Sequence, residues 1–267
     1  MNRPFLLDHL PVAVGRRLAY RLLRPVPEIY RPLYSAAELR HAPGVRMQVP
    51  KTREAMYDSI ALLGIYEPEL TRRVMKLARL GGHMVDVGAN VGYFSLLWAA
   101  AGAGNTVLAL EPSPLVLPYL ERNVRANRFA GQVEIRRCAA SDTQGAADFS
   151  TVCDEATGWG RLAAGSSEGT LLEVPTERLD SLVAGEERIT FLKIDVEGAE
   201  AAVMQGASAL LSSKRIDNIY LEVNRPGARA LGHPETRALE LLRAAGYTLR
   251  PLSRHGARPI EDWWATA

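Results

Sequence analysis

The chain has 267 residues, 47% of them hydrophobic and 23% charged, with a formal net charge of +2. That is enough chain for one large domain with a full core, and too ordinary a balance for a disordered, fibrous or disulfide-stapled protein. The two cysteines, Cys138 and Cys153, stand in unrelated contexts with no metal-ligand spacing, which suits a reducing compartment.

Charge is uneven along the chain. Residues 1–55 hold ten Lys/Arg against four Asp/Glu, and the remainder holds 22 against 26. This proline-rich stretch reads as a basic N-terminal arm, with a helix over 12–23 bearing Arg16, Arg17, Arg21 and Arg24. Such an arm either packs with a solvated charged face or meets an anionic partner or membrane surface. Asp8, His9 and Pro11 interrupt its apolar patch, and no apolar run reaches spanning length, so the expected location is cytoplasmic.

Residues 56–267 read as one domain. The spacing predicts a helix over 67–80, started by Pro68 and stopped by Gly81 and Gly82, with Leu70, Val74, Leu77 and Leu80 on one stripe. It leads into the stretch on which the rest turns, residues 84–92, an apolar strand that breaks into a small-residue turn and re-enters an apolar helix. Gly88 and Gly92 let the backbone turn and approach a ligand, and the free N–H groups of the helix start point into the same space. A dinucleotide fingerprint would need glycine at 90 and 93, where Asn90 and Tyr93 stand, which argues against a nicotinamide-dependent oxidoreductase. A carboxylate at Asp86 would repel a pyrophosphate and attract a sulfonium. The next strand, 106–111, ends in Glu111, placed to take paired ribose hydroxyls.

Further on, a helix from Pro114 to about 127, a strand over 132–137, a hairpin near 146–151, a polar loop and an extended piece at 171–175 are expected. Strands then follow at 189–196, 218–224, 247–252 and 258–264, with helices over 199–211 and 235–245. The expected fold is α/β: a doubly wound, Rossmann-like seven-stranded and mostly parallel sheet with helices on both faces.

Four segments, Asp86-Val-Gly-Ala-Asn-Val-Gly-Tyr-Phe-Ser, Glu111-Pro-Ser-Pro, Ala139-Ala-Ser-Asp142 and Lys193-Ile-Asp-Val-Glu-Gly-Ala-Glu200, together with Tyr66-Glu-Pro-Glu-Leu, resemble the FkbM-type methyltransferase family. The resemblance implies a class I fold that uses S-adenosylmethionine to methylate a hydroxyl of a sugar, polyketide or other small metabolite. By position it places Asp86, Gly88, Ala89, Asn90 and Gly92 on the methionine side of the cofactor, Glu111 with Pro112 and Ser113 at the ribose, and Ser141 and Asp142 at the adenine. Asp142 has an alternative as a turn cap before Gly145.

In an open α/β sheet the ligand lies beyond the carboxyl ends of the strands. Asp195 and Glu197 leave one strand there, and Glu222 and Asn224 the next. Asp195 or Glu222 is the expected proton acceptor, and Asp195 also faces the cofactor. Tyr66, Glu67, Glu197, Asn224 and Trp159 are the expected acceptor contacts, with residues 154–169 a candidate lid. Lys193 and Asp195 share a strand face, so a structural ion pair is the competing reading. A metal is not required; the alternative is a magnesium site on Asp195, Glu222 and Asn224. The strand end at Asp195 lacks an aromatic residue or proline and the domain is mildly acidic, which argues against a nucleic-acid (RNA) acceptor. The remaining alternative is a non-catalytic cofactor-binding module.

Overall fold

The computed structural model describes residues 32–52, 54–151, 160–163, 170–183, 185, 187–252 and 259–267. The expected helix over 12–23, Cys153, Trp159 and most of the loop at 154–169 lie outside the described residues.

The sheet is built from β3 (His83–Val87), β4 (Thr106–Leu110), β5 (Val133–Arg136), β10 (Phe191–Ile194), β11 (Asn218–Asn224), β12 (Thr248–Pro251) and β13 (Ile260–Thr266), in the order β12-β13-β11-β10-β3-β4-β5. The five strands from β11 to β5 are parallel, and β13 runs antiparallel between β11 and β12. The central strands are buried on both faces, which is why they read as short unbroken apolar runs. Two charges break those runs, Asp86 in β3 and Lys193 in β10, and the register sets them side by side.

Helices α1 (Ala55–Leu63), α2 (Pro68–Ala78), α3 (Tyr93–Ala100), α4 (Leu117–Ala126), α5 (Leu179–Leu182), α6 (Glu200–Gly206), α7 (Ser208–Ser212), α8 (Arg225–Ala230) and α9 (Arg237–Ala244) complete the chain. Their apolar faces enter two core clusters, one containing α3 residues such as Leu96 and Trp98, the other containing α6 residues such as Val203.

Several expectations change. The helix at 67–80 ends at Ala78, so Leu80 lies past it and is 78% exposed rather than on the apolar stripe. The helix over 199–211 is two pieces, with Ala207 between them. The described part of the arm is built into the body: β1 (Ala37–Glu38) and β2 (Arg46–Met47) form a hairpin, and Leu39, Met47 and Val49 sit in the same core as α3. Asn123 in α4 ties this hairpin down, accepting from the Gln48 amide at 2.7 Å and donating to its carbonyl at 2.9 Å.

A second sheet, β6-β9-β7-β8, rises beside the first. It comprises β6 (Ala139–Ala140), β7 (Gly145–Thr151), β8 (Arg161–Leu162) and β9 (Thr170–Glu177), with β7 and β9 paired antiparallel along their length. No helix of the described residues is long and apolar enough to cross a membrane.

Candidate active site

Between β3 and β10 the chain reverses its direction of travel across the sheet, and a cavity of about 1260 Å³ opens beyond the carboxyl ends of these strands. One half is the turn after β3. Gly88 has φ +75, and a Cβ there would lie 1.9 Å from the Asp195 carbonyl oxygen, so the close approach of the two strand ends needs glycine. Asn90 is left-handed too, at φ 52, and its side chain accepts a hydrogen bond from the Tyr57 hydroxyl at 3.0 Å.

Glu111, at the end of β4, closes this half. Its two oxygens accept from the Asn90 and Ser113 amides, each at 2.8 Å, so a buried carboxylate is locked at the cavity wall. Burial, opposed by those two hydrogen bonds, raises its pKa to about 7. Gly88, Ala89, Asn90, Glu111, Pro112 and Ser113 all line the cavity, joined by Cys138, Ala139 and Ala140.

The other half holds Tyr66, Glu67, Lys193, Asp195, Glu197 and Glu222. The Tyr66 ring stands edge-on to Tyr93 at 6.2 Å, which fixes its place in the wall. Glu67 is pushed up to about 7 by burial and by Asp195. Oxygens of Asp195, Glu197 and Glu222 lie within 4.8 Å of one another, because β10 and β11 are neighbours and Ile194 pairs with Leu221, which brings the next residues, Asp195 and Glu222, together. Burial, then the charges of Asp195, Glu197 and Glu67, push Glu222 up to about 10. Burial and its acidic neighbours thus favour the protonated form of Glu222, one of the two expected proton acceptors. Lys193 bridges the halves: its ammonium is 3.2 Å from Asp195 Oδ2, 3.3 Å from the Gly88 carbonyl and 3.7 Å from Asp86 Oδ1.

Among the described residues five non-glycine positions have positive φ, and three of them, Glu67, Asn90 and Glu197, line this cavity. Backbone strain of this kind persists where the surroundings over-determine it and clusters at functional sites.

Residues 86–249 match the methyltransferase FkbM domain. The chain belongs to the FkbM methyltransferase family. It is 30% identical over 201 residues to the 31-O-demethyl-FK506 methyltransferase FkbM of Streptomyces tacrolimicus, covering 64% of this chain and 74% of that protein. It is 29% identical over 174 residues to methyltransferase sdnD of Sordaria araneosa, covering 53% and 67%. The METTL16 methyltransferase domain superposes with a TM-score of 0.51 at 17% identity, over 91% of this chain and 81% of that one, a likeness of fold. The fold is the Rossmann-like class I methyltransferase fold.

In this FkbM-family protein several of the expected site residues lie outside the cavity lining. Asp86 does not line the cavity: it is 1% exposed, its Oδ2 accepts from Ser95 Oγ at 2.6 Å, and Lys193 stands at its side. Gly92 is outside the lining, and a Cβ there would meet Leu120 at 2.6 Å. Ser141 and Asp142 are outside the lining, where Cys138 to Ala140 stand in their place; the Asp142 carbonyl accepts from Arg178. Asn224 caps α8, its Oδ1 accepting from the Gly227 amide at 2.9 Å while its Nδ2 donates to Glu197 at 2.5 Å. The Asn224 amide thus ties Glu197, a member of the carboxyl cluster, to the start of α8. Trp159 falls on the residues outside the description.

Sequence reasoning passed over three contributors. Lys193 was read only as an ion-pair partner of Asp195. Phe149 and Arg161 come from the second sheet and line the cavity wall, a placement with no local sequence signal.

Proposed function

We propose that this FkbM-family protein transfers a methyl group from S-adenosylmethionine to a hydroxyl oxygen of a small metabolite or glycan. The observation that carries this reading is a single cavity joining the Glu111 cradle to the carboxyl cluster at Asp195. The residues suit the donor: glycine backbone at 88 admits close approach, Glu111 presents a fixed carboxylate for a diol, and the Cys138–Ala140 wall is small and apolar enough for a flat base. Bound there, the cofactor supplies an electrophilic methyl group on a sulfonium centre.

The chain's own residues would do the rest. Tyr66 and Glu67 flank the acceptor half and orient a hydroxyl; burial holds the Tyr66 phenol protonated, so it acts as a donor. Asp195, 26% exposed with the Lys193 ammonium on one oxygen, accepts the hydroxyl proton. Protonated Glu222 donates a hydrogen bond beside it. In-line geometry, rather than strong base chemistry, carries most of the rate.

Two features support a small acceptor over nucleic acid. Six acidic side chains line the cavity, Glu54, Glu67, Glu111, Asp195, Glu197 and Glu222, against the basic Lys51, Arg161 and Lys193, a lining that does not favour a phosphate backbone. The relative from Streptomyces tacrolimicus is named for methylating an O-demethyl compound. Methyl-labelled S-adenosylmethionine incubated with the purified protein and fractionated extract is expected to label a small hydroxyl compound, identified by mass spectrometry, with and without a chelator. Label on RNA or protein would overturn the acceptor class, and activity abolished by the chelator would assign the carboxyl cluster to a cation.

A further inference from the structure

Lys193 lies in the middle of a central strand and is 3% exposed, a position where an ammonium survives only with partners. A simple counter-ion for Asp86 would sit within hydrogen-bond distance of it. Instead Asp86 Oδ1 has no hydrogen-bond partner, and the ammonium, 3.7 Å from it, lies closer to Asp195 Oδ2 and to the Gly88 carbonyl. The cation pairs with the buried carboxylate but lies nearer the groups at the cavity, with the Phe94 ring 5.7 Å from it.

We propose that Lys193 is a positioning residue that sets the charge at the methyl-donor sulfur, by holding Asp195 and the Gly88 carbonyl together where the two halves of the cavity meet. This rests on reading the cavity as an S-adenosylmethionine site. A site that opens onto the carboxyl groups of Asp195 and Glu197 attracts a cation, and one that holds the charged donor too tightly relative to the transition state slows transfer. Lys193 offsets that attraction from the floor of the cavity without occupying it. Burial pulls its pKa down, but Asp195, Asp86 and Glu67 outweigh burial and keep it charged.

Paired affinities test this without an acceptor. Dissociation constants for S-adenosylmethionine, a sulfonium, and S-adenosylhomocysteine, the neutral thioether, are measured by calorimetry for wild type, Lys193→Arg and the double variant Asp86→Asn/Lys193→Met. The double variant removes the buried pair as a unit, so no orphaned charge is left in β3. Whatever the change in thioether affinity itself, it is expected to shift the affinity ratio toward the sulfonium by about fivefold or more. Lys193→Arg, which keeps the charge, is expected to hold the ratio within about twofold. A folded double variant with an unchanged ratio, a parallel loss of both affinities, or an equal ratio shift in Lys193→Arg would overturn the assignment. Wild type that binds neither compound would instead overturn the cofactor reading itself.

Discussion

Gly88→Ala is a sharp test of how the site is built. The new methyl group would be placed 1.9 Å from the Asp195 carbonyl oxygen, a backbone atom with no rotamer to escape into, at a residue with φ +75. The left-handed conformation costs a non-glycine residue roughly 1–2 kcal/mol. Forcing the turn and the end of β10 apart adds roughly 1–3 kcal/mol. A total of about 2–5 kcal/mol corresponds to a fall in Tm of roughly 4–20 °C for a chain of this size. Because the same displacement moves Asn90 and Asp195, S-adenosylhomocysteine affinity should fall with it. Gly131→Ala is the control: no atom lies within 4 Å of its Cβ, and its stability should stay within about 0.5 kcal/mol of wild type. Thermal unfolding and calorimetry read both effects. A Gly88→Ala protein with unchanged Tm and unchanged affinity would refute this account of the turn.

Stability should also depend on pH with a definite sign. Glu67 and Glu111 are raised from 4.5 to about 7 and Glu200 to about 8, so between pH 4.5 and 8 the folded chain holds protons that the unfolded chain has released. Unliganded stability is therefore greatest near the low end of that window and falls as pH rises through it. Urea midpoints from pH 5 to 8 should decline, and a flat or rising profile would contradict the burial of these carboxyls. Glu111→Gln leaves either the Asn90 or the Ser113 amide without its acceptor, and S-adenosylhomocysteine should bind roughly tenfold more weakly or worse. Tyr57→Phe removes the hydroxyl that holds Asn90 Oδ1, which should weaken the same binding by roughly two- to tenfold; unchanged affinity would show that the turn holds its shape unaided. Asn224→Ala deletes the cap of α8 and should cost about 0.5–2 kcal/mol by urea unfolding, with a smaller loss showing that the helix start is held by other contacts.

Much of the sheet was legible because its strands are short apolar runs ended by turn residues, and the helices between them carry period-3.6 stripes. Where that pattern thins, reading from sequence failed for identifiable reasons. The two-residue strands β1 and β2 have no periodicity to detect, and they are held by the side chains of Asn123 in α4 and Asn127 at its C-terminal end, more than 70 residues away. Helix α8 begins Arg-Pro-Gly, a composition that reads as loop, and exists because Asn224 caps it. Leu80 fits an apolar stripe on paper, yet the helix has already ended.

At the site, residue types in the motif turn and at the strand ends were visible, but the direction each side chain faces was not. Alternation along β3 says that Asp86 lies on the opposite face from Val85 and Val87; it does not say what covers that face. Ser95, one helical turn into α3, and Lys193, directly opposite in the β3–β10 register, together enclose it. Asp86 thus lies behind the cavity wall, and Lys193 is the charge on this pair of strands that lines the cavity. Read alone, Asp86 points to attraction for a cation. Read with its neighbour, it anchors a cation that moderates the attraction of the carboxylates in front of it.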